Sequence, residues 1–88
     1  MKTIEMKYDI GTKVWVVYIH QDEVSVYADT LAEFAVSDKK EFYITEVGYH
    51  KLTQDEVILY EDKNKLYNTI CEKMNEILEK VVKYGNEN

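Results

Sequence analysis

Cys71 is the one thiol in this 88-residue chain, and His20 and His50 are the only imidazoles that could activate it. A nucleophilic cysteine needs a depressed pKa, supplied by a histidine or a helix N-terminus. Cys71 instead falls well inside a segment of helical apolar period, with neither histidine near it in sequence, so a packed thiol is the expected role. The histidines lack an HxxxH spacing and no CxxC is present, which leaves no metal-ligand set; each reads as a surface or partly satisfied side chain. The adjacent acids Asp22–Glu23, Asp55–Glu56 and Glu61–Asp62 fall in turns or at a helix start. Acid–base catalysis needs two carboxylates whose environments split their pKa values, and neighbouring solvated acids share one environment. Gly11, Gly48 and Gly85 are the only glycines and make no phosphate-cradling loop. These residues point away from an enzyme and call for no cofactor and no metal.

The tyrosines carry more information. There are eight, with one tryptophan, in a chain that has no proline. Tyrosine suits a strand and keeps its hydroxyl wet at a sheet surface, which accounts for most of them. Tyrosine and tryptophan also dominate binding hot spots, because they bring large rigid area at low entropy cost. Trp15, Tyr27, Tyr43, Tyr49 and Tyr60 are therefore the candidates for a binding surface. His50 joins them, since it sits between Tyr49 and Lys51 in a connecting segment where binding residues tend to be placed.

Strands must position most of these. Ile4, Met6 and Tyr8 alternate with Glu5 and Lys7, the period of a half-buried strand. A turn is expected over 9–12 around Gly11, then a strand over 13–20 that is apolar on both faces and so central in its sheet. A polar turn at 21–23 leads to alternating segments at 24–28 and 31–36, whose parity shifts near Thr30 and predicts a bend or bulge. A turn over 37–40, a strand over 41–47, a long polar connection over 48–56 and a short strand over 57–60 complete the sheet.

From Asp62 the period changes. Tyr67, Ile70, Met74, Ile77, Val81 and Tyr84 follow 3-4-3-4-3 spacing, widened by Leu66, Cys71, Leu78 and Val82. This predicts an amphipathic helix over about 62–84, with Asp62 as N-cap, Gly85 past its end and a frayed tail at 86–88. Packing of this helix on the chain's own sheet is the expected use of the stripe; a homodimer through the helix is the other. The expected fold is α+β: a small antiparallel barrel or bent sheet of about five to six strands with one C-terminal helix, residues 1–85 forming one domain.

The order Tyr8-x-Ile10-Gly11-x-x-Val14-Trp15, then Leu31-x-x-Phe34-x-Val36, then Phe42-Tyr43-Ile44, then residues 52–57, followed by a terminal helix, resembles the small SH3-like barrel proteins of phages and prophages of low-GC Gram-positive bacteria. The resemblance implies a mobile-element accessory protein that acts by binding.

Charge narrows the partner. The formal net charge is −6, and all 11 basic residues are lysine. Without arginine the chain lacks the bidentate fork that reads guanine and phosphate, and its negative surface is repelled by a polyanion; direct nucleic-acid binding is not expected. No apolar run reaches the length of a membrane span, and the N-terminus lacks a signal-peptide core, so the expected place is the cytoplasm, that of the host cell if the protein is phage-encoded. The leading expectation is a non-enzymatic protein that binds and inhibits a host protein, a defence or nucleic-acid-processing enzyme for example, as an anti-CRISPR would. An oligomeric sponge for a nucleotide-like small molecule and a virion assembly protein are the alternatives.

Overall fold

Val14 and Val16 are buried on one face of the first strand while Trp15, Val17 and Ile19 lie half-buried on the other, so the strand is covered on both sides as its composition requires. In the computed structural model, which describes residues 6–85, this strand is β1 (Lys13–His20). It is followed by β2 (Glu23–Ser37), β3 (Lys40–Thr45), β4 (Lys51–Leu52), a single 3-10 turn (Gln54–Glu56), β5 (Ile58–Leu59) and the helix α1 (Lys63–Gly85). The five strands form one antiparallel sheet in the order β4-β3-β2-β1-β5.

The 15-residue β2 shapes the molecule. Its first half pairs with β1, from His20↔Glu23 to Lys13↔Thr30, and its second half pairs with β3, from Ser37↔Lys40 to Leu31↔Thr45. The β2–β3 register shifts between Leu31 and Glu33, a bulge within two residues of the bend expected at Thr30. The segments read as two strands are thus one strand that changes partner at a bend. The inner side of the bend holds the core: Val14, Leu31, Tyr43, Leu52 and Val57, with Tyr8, Phe34 and Leu59 against them. The sheet does not close into a barrel; β4 and β5 are its two edges. Of the two expected forms, the bent sheet is the one adopted.

Both long hairpins turn on two residues. Gln21 and Asp22 have φ of 50° and 63°, and Asp38 and Lys39 have 49° and 66°. Positive φ at both central positions is the type I′ signature, whose twist matches that of the flanking strands. At the far edge, β5 covers only Val14 and Trp15 of β1.

Three boundaries in the strand region differ from the sequence reading. Ile4 lies outside the described residues, and Met6 to Thr12 do not form a strand. Tyr8 is held by a side chain instead of a ladder: its N–H donates to the Tyr43 hydroxyl at 2.9 Å, and that hydroxyl donates to the Tyr8 carbonyl at 3.2 Å. The strand expected to reach Val47 stops at Thr45, where the chain turns onto Asp29. The connection over 48–56 contains β4, which pairs Tyr43↔Leu52 and Ile44↔Lys51.

The helix begins as expected, with the Lys65 N–H donating to Asp62 Oδ1 at 3.1 Å. It continues through Gly85 where the reading placed that glycine just past the end; the tail at 86–88 lies outside the described residues. Its residues from about Lys65 to Leu78 lie along β1 and β2, over the outer face that carries Trp15, Val17 and Val26.

Candidate binding surface

The chain reverses between β3 and β4 through residues 46–49, and that loop is held from beneath by one carboxylate. Asp29, in the middle of β2, is 4% exposed. Its Oδ1 accepts the N–H groups of Thr30 at 2.8 Å and Val47 at 3.0 Å, and its Oδ2 accepts that of Gly48 at 3.0 Å. Burial alone would raise the Asp29 pKa, but the three backbone donors outweigh it and hold the carboxyl at about 2, below the usual 3.8. Thr45, fully buried, closes the loop: its N–H donates to the His50 carbonyl at 3.0 Å, and its hydroxyl accepts the His50 N–H at 2.9 Å. The Glu46 N–H donates to the Thr30 carbonyl at 2.9 Å. Every backbone donor from Thr45 to Gly48 is thereby engaged.

This pinning turns two side chains outward. Val47 is 73% exposed and Tyr49 is 76% exposed, the most exposed large apolar side chains of the described residues. Tyr49 sits at φ 53°, a left-handed conformation uncommon for an aromatic residue and sustained here by the bonds on either side of it. Two apolar groups on a rigid loop are a low-entropy contact surface.

Beside the loop lies an aromatic trio on the inner face. The His50 ring is 4.8 Å from Tyr18 and 5.8 Å from Tyr27, and Tyr18 meets Tyr27 edge-on at 6.1 Å. The Tyr27 hydroxyl is buried beneath Gly48, beside Asp29 and Thr45, and makes no well-formed hydrogen bond. Burial, and then the nearby Asp29 carboxylate, push its phenol pKa up. A Cβ on Gly48 would overlap that hydroxyl, so the glycine is required by close approach.

The structure divides the residues singled out from sequence. Tyr27 and His50 fall in this trio and Tyr49 at the loop tip. Trp15 and Tyr60 form a second group on the outer side: their rings stack at 4.8 Å, and the Trp15 indole N–H donates to the Tyr60 carbonyl at 2.8 Å. The Lys13 ammonium lies 4.3 Å from the Tyr60 ring centre, and that of Lys63 lies 4.9 Å from the Trp15 ring. Tyr43 is removed from any surface, because it is fully buried and its hydroxyl clamps the Tyr8 backbone. Tyr18, Asp29 and Val47 were not singled out. The signal for Asp29 was present, an acid inside the apolar run from Val24 to Leu31; Val47 was hidden because it extends the apolar pattern of β3.

Among the described residues Cys71 and His50 lie apart. Cys71 is a half-buried free thiol on α1, over the outer face, whereas His50 lies against the inner-face ring of Tyr18, on the opposite side of the sheet. The six paired acids are all exposed. Among the described residues no three metal-ligating side chains converge, and no helix is long and apolar enough to cross a membrane. A groove of about 710 Å³ between α1 and the sheet is lined by Trp15 and Val17, with Asp55, Glu56, Asp62 and Glu72 facing Lys65 and Lys73. The Lys65 ammonium already donates to the carbonyls of Asp55 at 2.8 Å and Val57 at 2.6 Å, so the groove presents more negative than free positive charge. A phosphate-bearing ligand gains nothing there.

Searches against protein-family models, curated proteins and solved structures return no match for this chain.

Proposed function

We propose that the protein is a non-enzymatic binding module whose contact surface is the Asp29-pinned loop, with Val47 and Tyr49 as anchors and the Tyr18–Tyr27–His50 trio as its floor. The observation that carries this is the pairing of maximal exposure at Val47 and Tyr49 with a loop whose backbone donors from Thr45 to Gly48, and that of His50, are all engaged. A surface loop that served only to reverse the chain would need neither a buried carboxylate nor two protruding apolar groups. Glu46 in the loop and the net charge of −6 favour a partner with a basic face. The partner is a host protein and the effect is occlusion of a surface that normally holds nucleic acid. The resemblance to phage accessory proteins supports a role in binding, and the acidic excess supports the inhibitor role.

The test is capture from lysate of the host by tagged wild-type protein, repeated with Tyr49→Ala and Val47→Asp. Both positions are exposed, so both variants keep the wild-type melting temperature. A partner retained by the wild type, lost by at least tenfold in both variants and associating more slowly as salt rises supports the proposal. Retention that is equal in all three proteins overturns it. A nucleotide released from the purified, heat-denatured protein would favour the small-molecule sponge.

A further inference from the structure

The apolar positions of α1 do not form one stripe in the folded chain. Leu66, Ile70 and Ile77 are half-buried toward the sheet. Tyr67, Met74, Leu78, Val81 and Val82 are 69, 51, 57, 60 and 60% exposed. With the half-buried Cys71, positions 67, 71, 74, 78 and 81 follow 4-3-4-3 spacing, an a/d seam separate from the face that packs on the sheet. We propose that this seam is the contact between two copies of the chain, α1 against α1, a surface distinct from the loop assigned above.

Three observations select a second copy. A 4-3 seam is the geometry in which one helix fits another of the same period, and a two-fold pair uses the same patch twice. The rim of the seam is free of charge: Asn75 and Val82 flank it on one side, Ile70 and Ile77 on the other. The seam therefore lacks the charge selection that would fit an acidic or basic partner, and lacks the flanking lysines of a helix that lies on anionic lipid. Complete burial of these exposed side chains in both copies would remove on the order of 1,200 Å² from water, a ceiling that only reaches the lower bound of stable interfaces, so the pair is expected to be weak and concentration-dependent. An adjoining groove of about 550 Å³, where Met74, Ile77 and Leu78 face Val24 and Val26, extends the same apolar surface onto the β1–β2 hairpin.

The experiment is sedimentation of the full chain over a wide concentration range, for the wild type and for Leu78→Glu and Met74→Glu. The wild type is expected to approach twice the 10.4 kDa chain mass as concentration rises. Each variant, altered at an exposed position, is expected to fold as judged by circular dichroism and to raise the dimer dissociation constant at least tenfold. A wild type that stays monomeric, or that is monomeric and partitions onto lipid vesicles, overturns the proposal; so does a dimer that both variants leave unchanged. Tyr49→Ala is expected to dimerise as the wild type does, which separates failure of this inference from failure of the loop.

Discussion

Asp29 shows how one residue links stability to the surface that the fold presents. Its pKa of about 2, against 3.8 for a free side chain, means that the folded state binds its proton less readily than the unfolded chain. The stabilisation is therefore complete above about pH 4 and disappears as pH falls toward 2, with a size of about 1–2 kcal/mol once solvent screening in so thin a shell is allowed for. Asp29→Asn offers an amide to a site that demands only acceptors. It should cost about 2–3 kcal/mol at neutral pH and lower the melting temperature by roughly 10 °C. Its unfolding curve should also lose this part of the acid dependence, which urea titrations between pH 2 and 5 would reveal. Tyr27 predicts the opposite sign. Its buried hydroxyl makes no well-formed hydrogen bond and lies desolvated beside the Asp29 carboxylate, so Tyr27→Phe should be neutral or stabilising by up to about 1 kcal/mol. A loss of more than this in thermal melts would show that the hydroxyl is engaged.

At the scale of elements, the β1–β2 hairpin carries a type I′ turn on residues that tolerate it poorly. Gln21 and Asp22 both hold positive φ, where Asn-Gly is the favoured pair. Replacing Gln21-Asp22 by Asn-Gly should stabilise the chain by about 0.5–1 kcal/mol, read as a higher urea midpoint with an unchanged slope. The same comparison shows what the sequence made legible. Polar residues at 21–23 and 37–40 marked both turns, and the parity shift after Thr30 marked the bulge, because both signals are local. The helix and its N-cap were legible for the same reason. The two-residue strand β4 was missed inside the polar connection, since so short a segment has no period to read, whereas β5 falls within the short apolar run read at 57–60. The loop was illegible because what makes it rigid is Asp29, 18 and 19 residues away from Val47 and Gly48. Tyr43 was misplaced for a related reason: an alternating strand does not say which face meets the core, and Tyr43 entered it by bonding to Tyr8, 35 residues earlier.

Viewed whole, the molecule sets two different surfaces on opposite sides of a bent sheet, a small polar-rimmed loop inside and an apolar helix seam outside. Half of the helix stripe seals the sheet and half stays exposed, a division that spacing alone could not reveal because both halves obey the same helical period. The sheet has a further property that follows from the brevity of β5. The Tyr60 N–H donates to the Lys13 carbonyl, so the odd-numbered residues of β1 aim their backbone groups toward the β5 side, and past Trp15 no described strand meets them. Among the described residues no strand therefore pairs with the peptide groups of Val17 and Ile19, and this open edge lies within a run of valine, tyrosine and isoleucine, the composition that favours pairing with other chains. Near pH 2, where Asp29 releases its grip, the protein should grow thioflavin-positive fibrils, and Ile19→Pro, which removes a donor from that open margin, should delay them. The fold therefore leaves its open margin on the one strand it cannot do without.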